Sequence, residues 1–380
     1  MSGGGGGRGD DLVVEPAGGI GARGIEGAAR SVCARRRHVA AVGVDPEALV
    51  ARHLATVVAT EQLSPFAVEA GARFEHSLYA DDCALLRASY LAADLEPFRA
   101  SHGAAEAPVE VVVVGGRGDD GAGARSLSPD ELVATTLRAL TEPGSGIRIV
   151  VQGVLELAVG ARCERIRPDV LVGDLGARRW WVGEAKSYLD RGGATSRSHV
   201  GHACGQLAVG VVALARTLAA AREGCGATAA AAGDLVLFAH RRGATVHRLD
   251  LGLEIRCVEA FLREAEELGG VADPTELFAR VDALDAIPAQ FETGCQESCG
   301  LYELCASREL VPAELGDRAR HVVARLGGLE RAVRLARGDE EPIGGEISAV
   351  TALRSGFAIG AARTASEHTV GGGVARNGST

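Results

Sequence analysis

Between Ile147 and Lys186 the chain sets three strand candidates in close succession, and what surrounds them leaves few architectures open. Ile147 to Leu157 (IRIVVQGVLEL) is β-rich, and 169–174 and 179–186 are two further runs. Leu175-Gly176-Ala177-Arg178 between those two suits a hairpin turn. A helix is predicted from about His199 to Arg222, then strands at 234–239 and 244–250, then helices through 257–267 and 274–283. Upstream, Phe66, Ala70, Phe74 and Leu78 recur at helical spacing and predict helix over most of 64–91. Ser128-Pro129-Asp130-Glu131 is a capping box with proline at the first helical position, opening a helix to about Thr141. The fold class expected is α/β, a mixed central sheet flanked by helices.

The boundaries follow from composition. Residues 1–28 are Gly-rich and expected to be disordered, 29–318 form the main domain, 319–338 a helical appendage, and 339–380 a mostly disordered tail. Gly115 to Gly123 (GGRGDDGAG) reads as an internal loop. No apolar run has the length of a membrane span; Leu207 to Ala221 is the richest, and Arg216 interrupts it. Ser2 to Gly7 lack the apolar centre of a signal peptide. The expectation is a soluble cytoplasmic protein with no membrane partner. A net charge of -10 argues against coating nucleic acid through bulk electrostatics, though not against an enzyme that grips a short stretch of backbone.

A single lysine, Lys186, stands among the 40 Lys and Arg residues. In a chain that otherwise uses Arg for its cations, that position asks for a compact ammonium rather than a planar guanidinium. It closes the segment Arg167-Pro168-Asp169 … Gly183-Glu184-Ala185-Lys186. A turn centred on Gly176 and Ala177 pairs Asp169 with Glu184, and period two brings Lys186 to the same face. Two carboxylates ~5 Å apart repel by roughly 3 kcal/mol at an effective dielectric near 20. A hard divalent ion reverses that sign, and carboxylate oxygens suit Mg²⁺ or Mn²⁺. Such an ion activates water and polarises a phosphodiester, with an ammonium beside it to orient the water or stabilise developing charge. The bland alternative is a surface hairpin with an ordinary Glu–Lys salt bridge.

Arg-Pro-Asp followed at hairpin distance by Glu-Ala-Lys resembles the signature of the PD-(D/E)xK nuclease superfamily. Its surroundings are similar to the RecB-type branch, which includes the CRISPR-associated iron–sulfur exonucleases. The resemblance implies a restriction-endonuclease-like fold and a catalytic set of Asp169, Glu184, Lys186 and Gln206. It implies a metal shell of Asp169, Glu184, the Ala185 carbonyl and either Glu75 or His76, the last two from Gly71-Ala72-Arg73-Phe74-Glu75-His76 on the early helix. Gly71, four residues before Glu75, would let the sheet approach. Gln206 stands where the family has Gln-x-x-x-Tyr, but Gly210 replaces the Tyr. Implied too is hydrolysis of nucleic acid, DNA rather than RNA, at single strands or ends.

Gly294-Cys295 … Cys299 … Cys305 sets three thiols in eleven residues, a spacing that points to metal ligation in a reducing compartment. The resemblance supplies Cys33 as fourth ligand and a [4Fe–4S] cluster as occupant. Three residues rather than the usual two separate Cys295 from Cys299, which keeps structural Zn²⁺ open as the alternative. Cys83, Cys163, Cys204, Cys225 and Cys257 read as small core residues. Arg35, Arg36 and Arg37, beside Cys33, are candidates for phosphate contact. Two other functions remain open from the residues alone: a catalytically inactive nucleic-acid-binding module of the same fold, and a zinc-stabilised interaction protein.

Overall fold

The computed structural model describes residues 20–53, 65–98, 108–114, 127–189, 197–221, 226–239, 243–269 and 280–290, positions 295, 299–302 and 304–305, and 322–323, 326–351 and 353–354. The chain divides into two compact units. The first comprises residues 1–30, 37–49 and 59–283; the second comprises 31–36, 50–58 and 284–380.

The first unit is built on six strands: β1 (Val109–Val113), β2 (Ile147–Val151), β5 (Val170–Asp174), β6 (Arg179–Leu189), β7 (Thr228–Ala239) and β8 (Gly243–Asp250). They lie in the order β1-β2-β5-β6-β7-β8, with β1/β2 and β6/β7 parallel and the rest antiparallel. The expected run from Ile147 to Leu157 is two strands. After β2 the chain leaves the sheet, and β3 (Leu155–Val159) pairs with β4 (Arg162–Ile166) in a separate hairpin. β3 alternates buried and exposed, so only one of its faces meets the core.

Strand parity sorts the core into two halves. Val150, Leu171, Trp180, Val182, Leu235 and Leu237 face one way, against α1 (Gly21–Arg30), α5 (Pro129–Thr141), α6 (Arg197–Ala220), α7 (Gly252–Gly269) and the β3–β4 hairpin; α2 (Ala34–Ala41) and α3 (Pro46–His53) follow α1 in the chain. Ile149, Val151, Val170, Val172, Ala185 and Val236 face the other way, against α4 (Pro65–Ala92). The strands at the centre are thus buried on both sides, as helices on both faces require. α6 is the one described helix long and apolar enough to cross a membrane, and it is mostly buried in this core. The α5 capping box forms as expected: Glu131 N donates to Ser128 Oγ at 3.3 Å, and Ser128 N to Glu131 Oε2 at 2.7 Å.

Three expectations are corrected. Residues 21–28 are not disordered but belong to α1, whose Ile25, Ala28 and Ala29 pack into the core. The helix over 64–91 is two helices, because Ala80 is extended and Asp81, Asp82 and Cys83 all have positive φ. Cys163 is exposed on β4 rather than buried. The calls on 1–19, on 115–123, on Cys225 and on the helix before residue 280 lie outside the described residues.

The second unit contains a short apolar cluster. Ala332 and Leu335 of a helix at Leu329–Arg337 pack with Val323, Leu326, Ala349 and Val350. Arg331 ties it to the chain beyond, donating to Glu340 Oε1 and to Glu346 Oε1, each at 2.7 Å. The start of the expected disordered tail is therefore ordered, through buried Ala349 and Val350 and these carboxylates.

The β5–β6 hairpin has the register that a turn at Gly176-Ala177 dictates, with Asp174 paired to Arg179, Gly173 to Trp180 and Val170 to Gly183. Trp180 lies across Gly173, and a Cβ there would sit 2.7 Å from the ring. Gly173→Ala should therefore cost about 1–3 kcal/mol through overpacking, read as a lower urea midpoint with an unchanged slope.

Candidate active site

Asp169 is the residue just before β5, one step beyond the last hairpin pair, and Glu184 is the matching step on β6. Leu171 and Val182 belong to the α6 side of the core, so by period two Glu184 and Lys186 share that side, while Asp169 stands at the end of β5, outside the strand. The backbone joins them as well: Ala185 N donates to Asp169 Oδ2 at 2.7 Å. Lys186 Nζ donates to Glu184 Oε1 at 2.5 Å and to Gln206 Oε1 at 2.8 Å. Gln206 comes from α6, the helix that links β6 to its parallel neighbour β7. Strand and crossover helix thus fix the lysine between them.

Charge is concentrated here. Burial, and after it the carboxylate of Glu184, push the Asp169 carboxyl up to about 8; the Ala185 N–H and Lys186 oppose that rise, and Glu75 adds to it. Tyr79 of α4 reaches the carbonyl oxygen of Asp169 at 3.5 Å. Burial and then Asp169, Glu75 and Glu184 hold its phenol protonated well above the usual range. Three carboxylates and one ammonium leave a net negative site, the donor chemistry that a hard cation favours. Among the described residues no set of three His, Cys, Asp or Glu side chains is arranged to hold a metal ion. The oxygen donors fit such an ion in kind rather than in position.

The other candidates separate. Glu75 is half-buried and acts electrostatically on Asp169 and Tyr79, whereas His76 is exposed. Gly71 is near β6, but a Cβ there would meet Ser187 Oγ at an ordinary 3.8 Å, so close approach does not demand glycine. Gly210 is different: a Cβ would stand 2.8 Å from Val182 Cγ1, so the tyrosine of the family pattern has no room here. Tyr79 was missed in the sequence, although it falls one turn after Glu75 on the same helix face.

In the second unit Cys33, Cys295, Cys299 and Cys305 line one small pocket with Ala289, Gln290, Leu301 and Tyr302. Gln290 N donates to Cys33 Sγ at 3.4 Å, and Arg35 Nη1 to Cys305 Sγ at 3.4 Å. The four thiols share a pocket but are not drawn into ligating geometry. Arg35 is corrected as a phosphate contact: it is 1% exposed, and its Nε and Nη2 donate to the Ile287 carbonyl at 2.9 and 2.7 Å. Arg37 belongs to the first unit, where it pairs with Glu264 and lies over the Phe261 ring. Arg36 is half-exposed.

No family model matches the chain, and no curated protein does. Among solved structures, the crystal structure of SSO0001 is similar at 17% identity with a TM-score of 0.22, over 48% of this chain and 66% of that one. A likeness that slight carries no argument.

The Asp169 proton makes a checkable difference to stability. Its pKa rises from 3.8 in the open chain to about 8 in the fold. Across that window the folded state keeps a proton that the unfolded state has lost. Stability is therefore fully present below the lower value and declines as pH rises toward the upper one. Asn cannot ionise and can still accept from Ala185 N. In EDTA, Asp169→Asn should melt higher than wild type at pH 8, with the gap closing toward pH 4. A variant less stable at pH 8 would mean that Lys186 already compensates the charge in full.

Proposed function

We propose that the protein is a Mg²⁺- or Mn²⁺-dependent deoxyribonuclease of the PD-(D/E)xK superfamily, in its RecB-type branch, acting on single strands or ends in the cytoplasm. The observation that carries this reading is the convergence of Asp169, Glu184 and Lys186 at the end of the β5–β6 hairpin, with Gln206 on the lysine. Asp169, Glu184, the Ala185 carbonyl and Glu75 would hold the divalent ion. Such an ion, when bound, supplies a Lewis acid for the phosphodiester and a water of lowered pKa.

The chain's own groups do the rest. Lys186 has three N–H donors. Glu184 and Gln206 accept two of them, which leaves the third for a phosphoryl oxygen or the attacking water. Tyr79, kept protonated, braces the Asp169 backbone from α4. The sheet is proposed as restriction-endonuclease-like on this arrangement of site and crossover helix.

For the second unit we propose a [4Fe–4S] cluster on Cys33, Cys295, Cys299 and Cys305. Support comes from their common pocket and from the N–H groups aimed at two of the sulfurs, contacts that suit thiolates carrying negative charge. Anaerobically purified protein should be brown, with broad visible absorbance that bleaches on reduction. A colourless protein carrying zinc would replace the cluster by a structural Zn²⁺ site.

Cleavage of single- and double-stranded DNA with Mn²⁺ tests the activity. Lys186→Ala should lower it by about 10²–10³-fold, and Gln206→Ala by about 10- to 100-fold, with the fold intact by circular dichroism. DNA binding without cleavage, unchanged in Lys186→Ala, would leave a binding module in place of an enzyme.

A further inference from the structure

Two residues beyond Lys186, where the pairing of β6 with β7 becomes irregular, Tyr188 packs on the α6 side of the sheet. Its ring stacks on His199 of α6, with centroids 4.4 Å apart and planes within 19°. Tyr188 is half-buried against the core, and His199 is exposed. On α6, His199 precedes Gln206 by seven residues, two turns, so both project from one side of the helix. Strand and helix therefore run past each other in matched order, with Lys186 on Gln206 and Tyr188 on His199. Two residues of strand span at most about 7 Å, so the ring pair lies within the reach of one extended nucleotide from the lysine.

Near its start, α6 also packs against a carboxylate–guanidinium pair of α1. Glu26 of α1 is buried, accepts from Arg30 Nη1 at 3.1 Å, and faces His202 Nδ1 at 3.3 Å. Arg30 and His202 are each about half exposed. The Arg30 guanidinium lies over Gly201, where a Cβ would meet its nitrogens at 3.4 Å. Gly201 lies about 200° around α6 from His199, so this ion pair holds α1 on the far side of the helix and leaves the rings clear of it.

We propose that the Tyr188–His199 pair is a stacking platform for an unpaired nucleobase one nucleotide from the scissile phosphate. This deepens the nuclease reading and rests on it. An exposed ring face accepts any base, because every base has a π-face. A base inside a duplex already has both faces stacked and must be pulled out at a cost of a few kcal/mol. The platform therefore selects single strands and frayed ends without selecting sequence.

The test uses the full chain with Mn²⁺ and end-labelled single-stranded oligonucleotides. The strands are either intact or carry one abasic nucleotide, moved position by position along the strand. His199 is the residue to change, because it is exposed while Tyr188 contributes to the core. His199→Ala should lower kcat/KM on intact strands by roughly 5- to 150-fold, and His199→Phe should restore most of it. At one abasic position, wild type should fall to the level of His199→Ala, and the substitution should then cost nothing further. Equal rates for wild type and His199→Ala on intact strands overturn the platform. So does a loss that is the same at every abasic position, which would mark a tether between α6 and β6 only. Those outcomes leave the nuclease standing wherever cleavage still depends on Lys186. Absence of any Lys186-dependent cleavage removes both together.

Discussion

The pairing of β6 with β5 on one side and β7 on the other sets every other relation in the first unit. β6 carries core residues on both faces: Trp180 and Val182 toward α6, Ala185 toward α4. A slip of one residue would bury Glu184 and Lys186 against α4 and turn Ala185 toward the site. The hairpin turn and the fit of Trp180 over Gly173 oppose such a slip on the β5 side. On the other side, the parallel partner β7 is reached only through α6, whose buried face presents Leu207, Val211 and Leu214 to the same core. Strand register, helix position and the site geometry are thus one constraint.

Holding charge at that junction works against the fold. Asp169 is buried beside Glu184 and within the field of Glu75, and a single ammonium answers all three. Such an arrangement costs stability, and groups perturbed by burial and like charge in this way are what the proposed metal site would use. Gln206 is the counterpart device: an uncharged acceptor that directs the lysine without adding a fourth negative group.

What was legible in the sequence is what short-range rules determine. A turn with Gly176 at its centre fixes pairing by counting, so the nearness of Asp169 to Glu184 could be read without coordinates. The α5 cap could be read too, because both of its hydrogen bonds lie within four residues. What escaped depends on distant partners. α1 looks like part of a Gly-rich leader until α6 and α7 give Ile25 a place to bury. Three left-handed residues broke the long helix at Asp81-Asp82-Cys83, where apolar periodicity carries no signal. Arg35 resembled its neighbours Arg36 and Arg37, and what distinguishes it is its burial against the Ile287 carbonyl and the Cys305 sulfur. The Tyr188–His199 contact joins a strand to a helix across a segment that no local pattern describes.

The second unit is assembled from pieces that are far apart in the chain, and this has a consequence for its birth on the ribosome. Arg35 and Cys305 are 270 residues apart, yet the guanidinium of one donates to the sulfur of the other. At about 5–20 residues per second, the early segment emerges roughly a quarter of a minute to a minute before its partner. Through that interval Arg35 lacks the Ile287 carbonyl and the Cys305 sulfur, and the Cys33 thiol lacks the Gln290 N–H. The first unit can close around its sheet once residue 283 has been made; the second has to wait for nearly the whole chain.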